Sequence, residues 1–196
     1  MLLSFSAARS SRRFWQARTL WLCFLVFDFA SAILVIHLFG RIGLYAIIIM
    51  GIITCNIQVL KLVDIFHLPV TFGNIAYASI FLATDLLSEV YGKKEARQAV
   101  WVGFFMLVIA TVGFQAMIYL KPNHIDQHHD ALSTIFQLSP RIMAASLIAY
   151  LLAQLHDVWA FDYWKKKTQG KHLWFRNNAS TIVSQTIDSA IFVALA

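Results

Sequence analysis

Leu20–Leu60 reads LWLCFLVFDFASAILVIHLFGRIGLYAIIIMGIITCNIQVL. Two apolar runs, Leu20–Phe39 and Ile42–Leu60, stand on either side of Gly40 and Arg41. Each matches the roughly 20 residues that an α-helix needs to cross the hydrocarbon core of a bilayer. The runs are too long and too unbroken for barrel strands, which alternate with period two over about 10 residues. In lipid, only helices and closed barrels satisfy their own backbone polar groups. The pair therefore predicts an all-α fold, a polytopic transmembrane helix bundle.

The remainder of the chain repeats the pattern. Apolar segments follow at Thr71–Tyr91, Ala99–Leu120 and Ile142–Val158, and from Ala179 to Ala196, making about six in all. Pro69 breaks the chain before the third segment, Pro122 stops the fourth, and a polar loop, Lys121–Ser139, leads to the fifth. All six are expected to be helices. Ala145, Ala149 and Ala153 recur at four-residue spacing, which suits close helix packing. Of the 196 residues 59% are hydrophobic and 13% charged, against about 45–50% and 25% in soluble chains. Residues 20–196 are thus expected to form one transmembrane domain after a basic tail, 1–19, with no soluble domain. The sixth segment has no polar flank, so a further stretch of membrane helix is expected beyond Ala196.

The net charge of +6 comes from basic residues that flank apolar segments. That arrangement orients a membrane protein by the positive-inside rule and does not call for nucleic acid. Positive clusters lie in the tail (Arg9, Arg12, Arg13, Arg18), at Lys93, Lys94 and Arg97, and at Lys165, Lys166, Lys167, Lys171 and Arg176. Six full crossings would put the tail and the later clusters on opposite sides. The third segment contains Asn74, Thr84, Asp85, Ser88 and Glu89, and non-helical or re-entrant backbone is tolerated where it lines a cavity. A re-entrant or strongly tilted third segment and a cytoplasmic N-terminus are therefore expected. Cys23 and Cys55 sit in apolar segments and are too few for a disulfide framework.

Ionisable residues in membrane segments cost about 2.5–3.5 kcal/mol each on insertion scales, so they mark function or pairing. Asp85 and Glu89 are four apart and share a helix face, with Asn74, Tyr77, Phe81 and Ser88 nearby. Like charges this close need a proton or a cationic partner. For Glu89 the competing reading is a headgroup-level position beside Lys93. Asn177, Asn178, Thr181, Ser184, Gln185 and Asp188 make a second polar stripe, and Asn56, Gln58 and Lys61 a third group. Interhelical hydrogen bonding competes with ligand contact for each of these amides. His124, His128, His129, Asp126 and Asp130 match no tight metal site, and a solvated loop is expected there. Asp157 and Asp162 stand among Trp159, Phe161, Tyr163, Trp164 and three lysines; they read as surface charges in an aromatic belt and receive no chemistry. No phosphate-binding loop, H-E-x-x-H or G-x-S-x-G string is present. Neither enzyme chemistry nor a metal or cofactor is expected.

Three stretches carry a resemblance: Asn56–Lys61 (NIQVLK), Thr71–Arg97 (TFGNIAYASIFLATDLLSEVYGKKEAR) and His172–Asp188 (HLWFRNNASTIVSQTID). Together they resemble the queuosine precursor transporter family, also called the vitamin uptake transporter group. The basic tail and the His-rich loop match nothing in that family, whose members usually continue into one more helix. The resemblance implies import of 7-deazaguanines such as preQ0 and preQ1 across the inner membrane, by a multi-pass protein embedded in the lipid bilayer. It also implies roles. A carboxylate, Asp85 or Glu89, accepts the N1–H and 2-amino group of a guanine-like base in two parallel bonds. Asn56, Asn178 and Gln185 suit the carbonyl edge. Tyr77 and Phe81 suit the base face, with Asn74 on the same side, and Asp188 suits the preQ1 aminomethyl cation.

Overall fold

The apolar runs become helices where their length requires it. The computed structural model describes the backbone of residues 2–65, 68–137 and 140–196, and their side chains from Arg18 onward, Pro140 excepted. Arg9, Arg12, Arg13, Phe14 and Trp15 of the basic tail lie outside the described side chains, and Ser139 of the polar loop lies outside the described residues. Helix α1 (Leu2–Gln58) is interrupted at Gly40, where φ is 52° and ψ −124°, a conformation that glycine adopts without a Cβ penalty. Gly43 lies against the Val35 carbonyl, although eight residues of straight helix span about 12 Å. The chain therefore folds back at Gly40. Its two arms, 18–39 and 41–58, are the first two expected segments.

A short antiparallel hairpin follows, β1 (Leu62–Ile65) with β2 (Leu68–Thr71), in which Leu62 pairs with Thr71 and Ile65 with Leu68. These strands fill the link between the second and third segments, for which no element was expected, and leave the all-α class intact. Pro69 removes a helical donor and sits on an edge strand opposite Asp64, while Val63, Ile65, Val70 and Thr71 are β-branched. Then come α2 (Asn74–Val90), α3 (Lys93–Tyr119), α4 (His129–Phe136), α5 (Pro140–Lys167) and α6 (Leu173–Leu195). The polar loop thus contains a short helix, and α5 runs nine residues past its expected end at Val158. Among the described residues, three stretches are long and apolar enough to cross a membrane: Arg18–Gln58, which holds both arms, Lys93–Tyr119 and Arg141–Lys167.

The contacts order the bundle from end to end. At one end Gly40 meets the Tyr91 hydroxyl, Arg41 pairs with Glu95 at 3.2 Å, and Lys93 pairs with Asp162 at 3.3 Å. At the other, Gly73 lies against Cys55 and Val59, and Arg141 donates to the Leu195 carbonyl at 2.8 Å. Helix α2 has one end in each set, so it traverses the bundle beside the second arm and does not turn back as a re-entrant segment would. Its 17 residues span only about 25 Å, short for a core about 30 Å thick. Arg18, at the start of the first arm, and Lys93 consequently lie at opposite ends. The expectation that the tail and Lys93 share a face is not met by this arrangement.

Leu44, Ile48 and Ile52 of the second arm, Ile80 and Leu87 of α2, and Val100 of α3 pack at the centre with Tyr150 of α5. Phe27, Ile33, Ile109 and Val193 point outward, as they should where lipid replaces water. Helices α5 and α6 form the most extensive pair. Ala145, Ala149 and Ala153 are buried along α5, as are Ser180 and Ser184 along α6; small side chains of this kind let helix backbones approach closely.

Candidate functional site

A cavity of about 610 Å³ lies between the arms of α1 and helices α2, α3, α5 and α6. Its size falls within the roughly 300–1,000 Å³ typical of small-molecule sites. The polar walls are Asn56 from the second arm, Asn74 and Tyr77 from α2, Tyr150 from α5, and Gln185 and Asp188 from α6; Trp21 and Phe192 add aromatic surface. Gly73 and Val59, from the Arg141 end of the bundle, line it, so the cavity occupies that half of the bundle. The Tyr77 hydroxyl faces the Asp188 carboxylate across the cavity, and the Tyr77 ring is braced by Phe81 in an edge-to-face contact at 5.1 Å. Asn56 donates to the Ile52 carbonyl at 2.7 Å, and Asn74 accepts from Thr71 at 2.7 Å. Both amides are thereby oriented at the rim.

A second polar cluster lies deeper, about 12 Å along α2 from Tyr77 to Asp85. Asp85 and Asp157 are 3% and 0% exposed. Asn177 of α6 donates to Asp85. Asp157 lies within reach of Asp85 and beside Ser180, Thr181 and Ser184. The serine hydroxyls donate to backbone carbonyls, Ser180 to Asn177 at 3.1 Å and Ser184 to Ser180 at 2.8 Å. Next toward the Lys93 end, Glu89 bridges Lys165 and Arg176, each at 3.2 Å. Arg176 is 1% exposed and stacks over Phe161 at 5.3 Å.

Five of the residues singled out in the sequence therefore meet around one cavity: Asn56, Asn74, Tyr77, Gln185 and Asp188. Three do not. Asp85 is sealed in the deeper cluster. Glu89 is held by two cations of α5 and α6, whereas Lys93, its expected neighbour, pairs with Asp162. Asn178 is exposed and donates to the Trp174 carbonyl at 2.7 Å. Phe81 is buried behind Tyr77 and leaves the cavity face to it. Asp157 corrects the reading of a surface charge, since it is fully buried. The signal was present: Asp157 and Phe161 continue the four-residue series of Ala145, Ala149 and Ala153 onto the same buried face. Trp21, which reads in the sequence as an interfacial belt residue, and Tyr150 were not expected in the site, because an aromatic residue in an apolar helix gives no sign of facing a cavity. The histidines and acids of the polar loop do not converge, and among the described residues no three His, Cys, Asp or Glu side chains are grouped to hold a metal.

Comparison with known proteins bears directly on this arrangement. The family described as "Putative vitamin uptake transporter" matches residues 71–196. A "Probable queuosine precursor transporter" of Bacillus subtilis is 39% identical over 177 residues, which cover 90% of this chain and 77% of that protein. The chain belongs to the vitamin uptake transporter family. The "Queuosine precursor transporter" of Escherichia coli is 28% identical over 134 residues, covering 68% of this chain and 58% of that one. A Haemophilus influenzae "Probable queuosine precursor transporter" is 28% identical over 144 residues, 74% and 59% respectively. The chain thus spans less than two thirds of these last two relatives. No solved structure matches it. As a vitamin uptake transporter the chain is a multi-pass membrane protein that moves a small molecule and is not an enzyme. The matched region begins at Thr71 and so includes both walls of the cavity from α2 and α6, together with Asp85 and Asp157.

Proposed function

We propose that this transporter imports 7-deazaguanine precursors of queuosine, such as preQ0 and preQ1, across the inner membrane, and that it holds them in the 610 Å³ cavity. One observation carries the reading: a carboxylate, Asp188, stands in a largely apolar cavity that also presents amides (Asn56, Asn74, Gln185) and aromatic rings (Trp21, Tyr77, Tyr150) and whose other lining side chains are uncharged. A guanine-like base presents N1–H and a 2-amino group side by side, and a carboxylate takes both in parallel charge-assisted bonds. With Asp85 outside the cavity, that role passes to Asp188. Asn56 and Gln185 suit the carbonyl edge. Tyr77 and Trp21 supply ring faces, and base stacking contributes about 1–3 kcal/mol in single-strand binders. The names of the relatives support the same substrate class. The end that carries Lys93 and Lys165 is assigned to the cytoplasm, so the cavity lies in the outward half and receives substrate from outside.

The test is uptake in cells that cannot make queuosine, supplied with preQ0 or preQ1 and scored by queuosine in tRNA. Asp188→Asn removes the charged acceptor, and hydrogen bonds to charged groups contribute about 1.5–3 kcal/mol, which predicts roughly 10- to 150-fold weaker apparent affinity. Wild-type concentration dependence in Asp188→Asn, at normal expression, would remove the cavity from the substrate pathway.

A further inference from the structure

We propose that Asp85 and Asp157 hold one proton between them and form the proton-coupling site of this carrier, separate from the cavity that takes the substrate. The carboxylates come from different helices, α2 and α5, lie within hydrogen-bonding reach of each other and are closed off from solvent. Neither oxygen of Asp157 has a hydrogen-bond donor, and one oxygen of Asp85 has none. The hydroxyls of Ser180, Thr181 and Ser184 border Asp157, but those of Ser180 and Ser184 are committed to carbonyls, and that of Thr181 makes no hydrogen bond. Asn177 serves only the other Asp85 oxygen. Two bare carboxylates in contact repel strongly in a low dielectric. A single shared proton removes one charge and supplies the missing donor in one step. It is the smallest ligand that fits, since the region is closed and, among the described residues, no third acid joins the pair.

The surrounding charges do not replace that proton. Arg176 on α6 is the nearest cation and acts on Asp85 through space; one of its terminal nitrogens pairs with Glu89 on α2 at 3.2 Å, and its other two nitrogens hydrogen-bond to neither carboxylate. Lys165 on α5 also serves Glu89. His156 on α5 is bonded to Ser184 at 2.9 Å. Lys93 and Glu95 of α3 and Arg41 of α1 are engaged at the end of the bundle, Lys93 with Asp162 and the other two with each other. Asp188 lies about two turns beyond Thr181 toward the Arg141 end and belongs to the cavity. Ser184 lies one turn from Asp188 on the same face of α6 and borders Asp157, so a polar ladder joins the cavity to the pair. A proton taken up from the cavity side and released at the Lys93 end would accompany each substrate.

The proposal rests on the transport reading only for its coupling half, so two measurements are needed. The first is infrared spectroscopy of the purified protein in lipid nanodiscs at neutral pH, without substrate. A protonated-carboxyl carbonyl band is expected in the wild type and in Asp188→Asn, and is lost in Asp85→Asn and Asp157→Asn. Absence of the band, or its survival in both of those variants, overturns the shared proton. The second is precursor accumulation in proteoliposomes with an imposed pH gradient. One proton per neutral substrate predicts about tenfold accumulation for each tenfold inward proton gradient, and no response to the gradient in Asp157→Asn. Wild-type accumulation that ignores the pH gradient, or follows sodium instead, overturns the coupling. A wild type that carries no precursor under any gradient refutes the substrate reading and with it the coupling, while the spectrum still decides the proton.

Discussion

Glu89 shows how one side chain can look like a binding group and be placed as a structural one. Its carboxylate meets Lys165 and Arg176, and Arg176 is buried with its guanidinium over the Phe161 ring. Removing one partner of a buried pair typically costs about 3–5 kcal/mol, because the other charge is left without compensation. Glu89→Ala is therefore expected to lower stability by about that amount, and Glu89→Gln, which keeps an acceptor for Arg176, by clearly less. Thermal unfolding in detergent measures both. Uptake per folded molecule should be unchanged in Glu89→Gln; loss of uptake at unchanged stability would return Glu89 to the substrate. The sequence shows that Asp85 and Glu89 share a helix face, but it does not show that Arg176 and Lys165, far along the chain, approach one of them and Asp157 the other. Spacing within a helix is local, whereas the partner of a buried charge is set by which helices pack.

At the level of elements, the glycine in α3 at position 103 explains how the cavity keeps its floor. A methyl group on Gly103 would lie 2.7 Å from the Tyr150 hydroxyl and 3.2 Å from Ile48. Tyr150 lines the cavity from α5, so the missing side chain is what lets its ring lie back against α3. Overpacking of this kind typically costs about 1–3 kcal/mol. Gly103→Ala is expected to destabilise by that amount and to push the tyrosine into the cavity, lowering substrate affinity; Gly103→Ala with Tyr150→Phe should recover part of both, since the hydroxyl makes the closest contact. Binding and melting measurements on the single and double variants check this. Element positions were largely legible, because apolar length is a direct consequence of bilayer thickness. The hairpin at Leu62–Thr71 and helix α4 were not, since both lie between apolar runs and neither is specified by hydropathy. Helix α5 outlasts its apolar stretch for the same reason: hydropathy reports where lipid begins and ends, and the hydrogen-bonded backbone continues past it to Lys167.

For the whole molecule, the ordering of the two ends decides which way the cavity faces. Arg41, Lys93, Lys94, Lys165, Lys166 and Lys167 lie at or beside one end, while Arg18, Lys61, Lys121 and Arg141 lie at the other. The positive-inside rule assigns the richer end to the cytoplasm. The cavity lies in the opposite half of the bundle, and the Asp85–Asp157 pair and the Glu89 bridge lie between it and the Lys93 end. With the orientation proposed above, the cavity falls in the outward half and the buried charges in the cytoplasmic half, the arrangement expected of an alternating-access carrier in its loading state. The assignment is checked with single cysteines at Lys94 and Lys121, after Cys23→Ser and Cys55→Ala, using a membrane-impermeant maleimide on intact cells. Lys121→Cys is expected to label at once and Lys94→Cys only after permeabilisation. The reverse pattern would mean that the basic N-terminal tail governs orientation, that the cavity lies in the cytoplasmic half, and that the bundle is in its release state. Asp188 would then face the substrate on its way out, and the proton would enter from the Lys93 end.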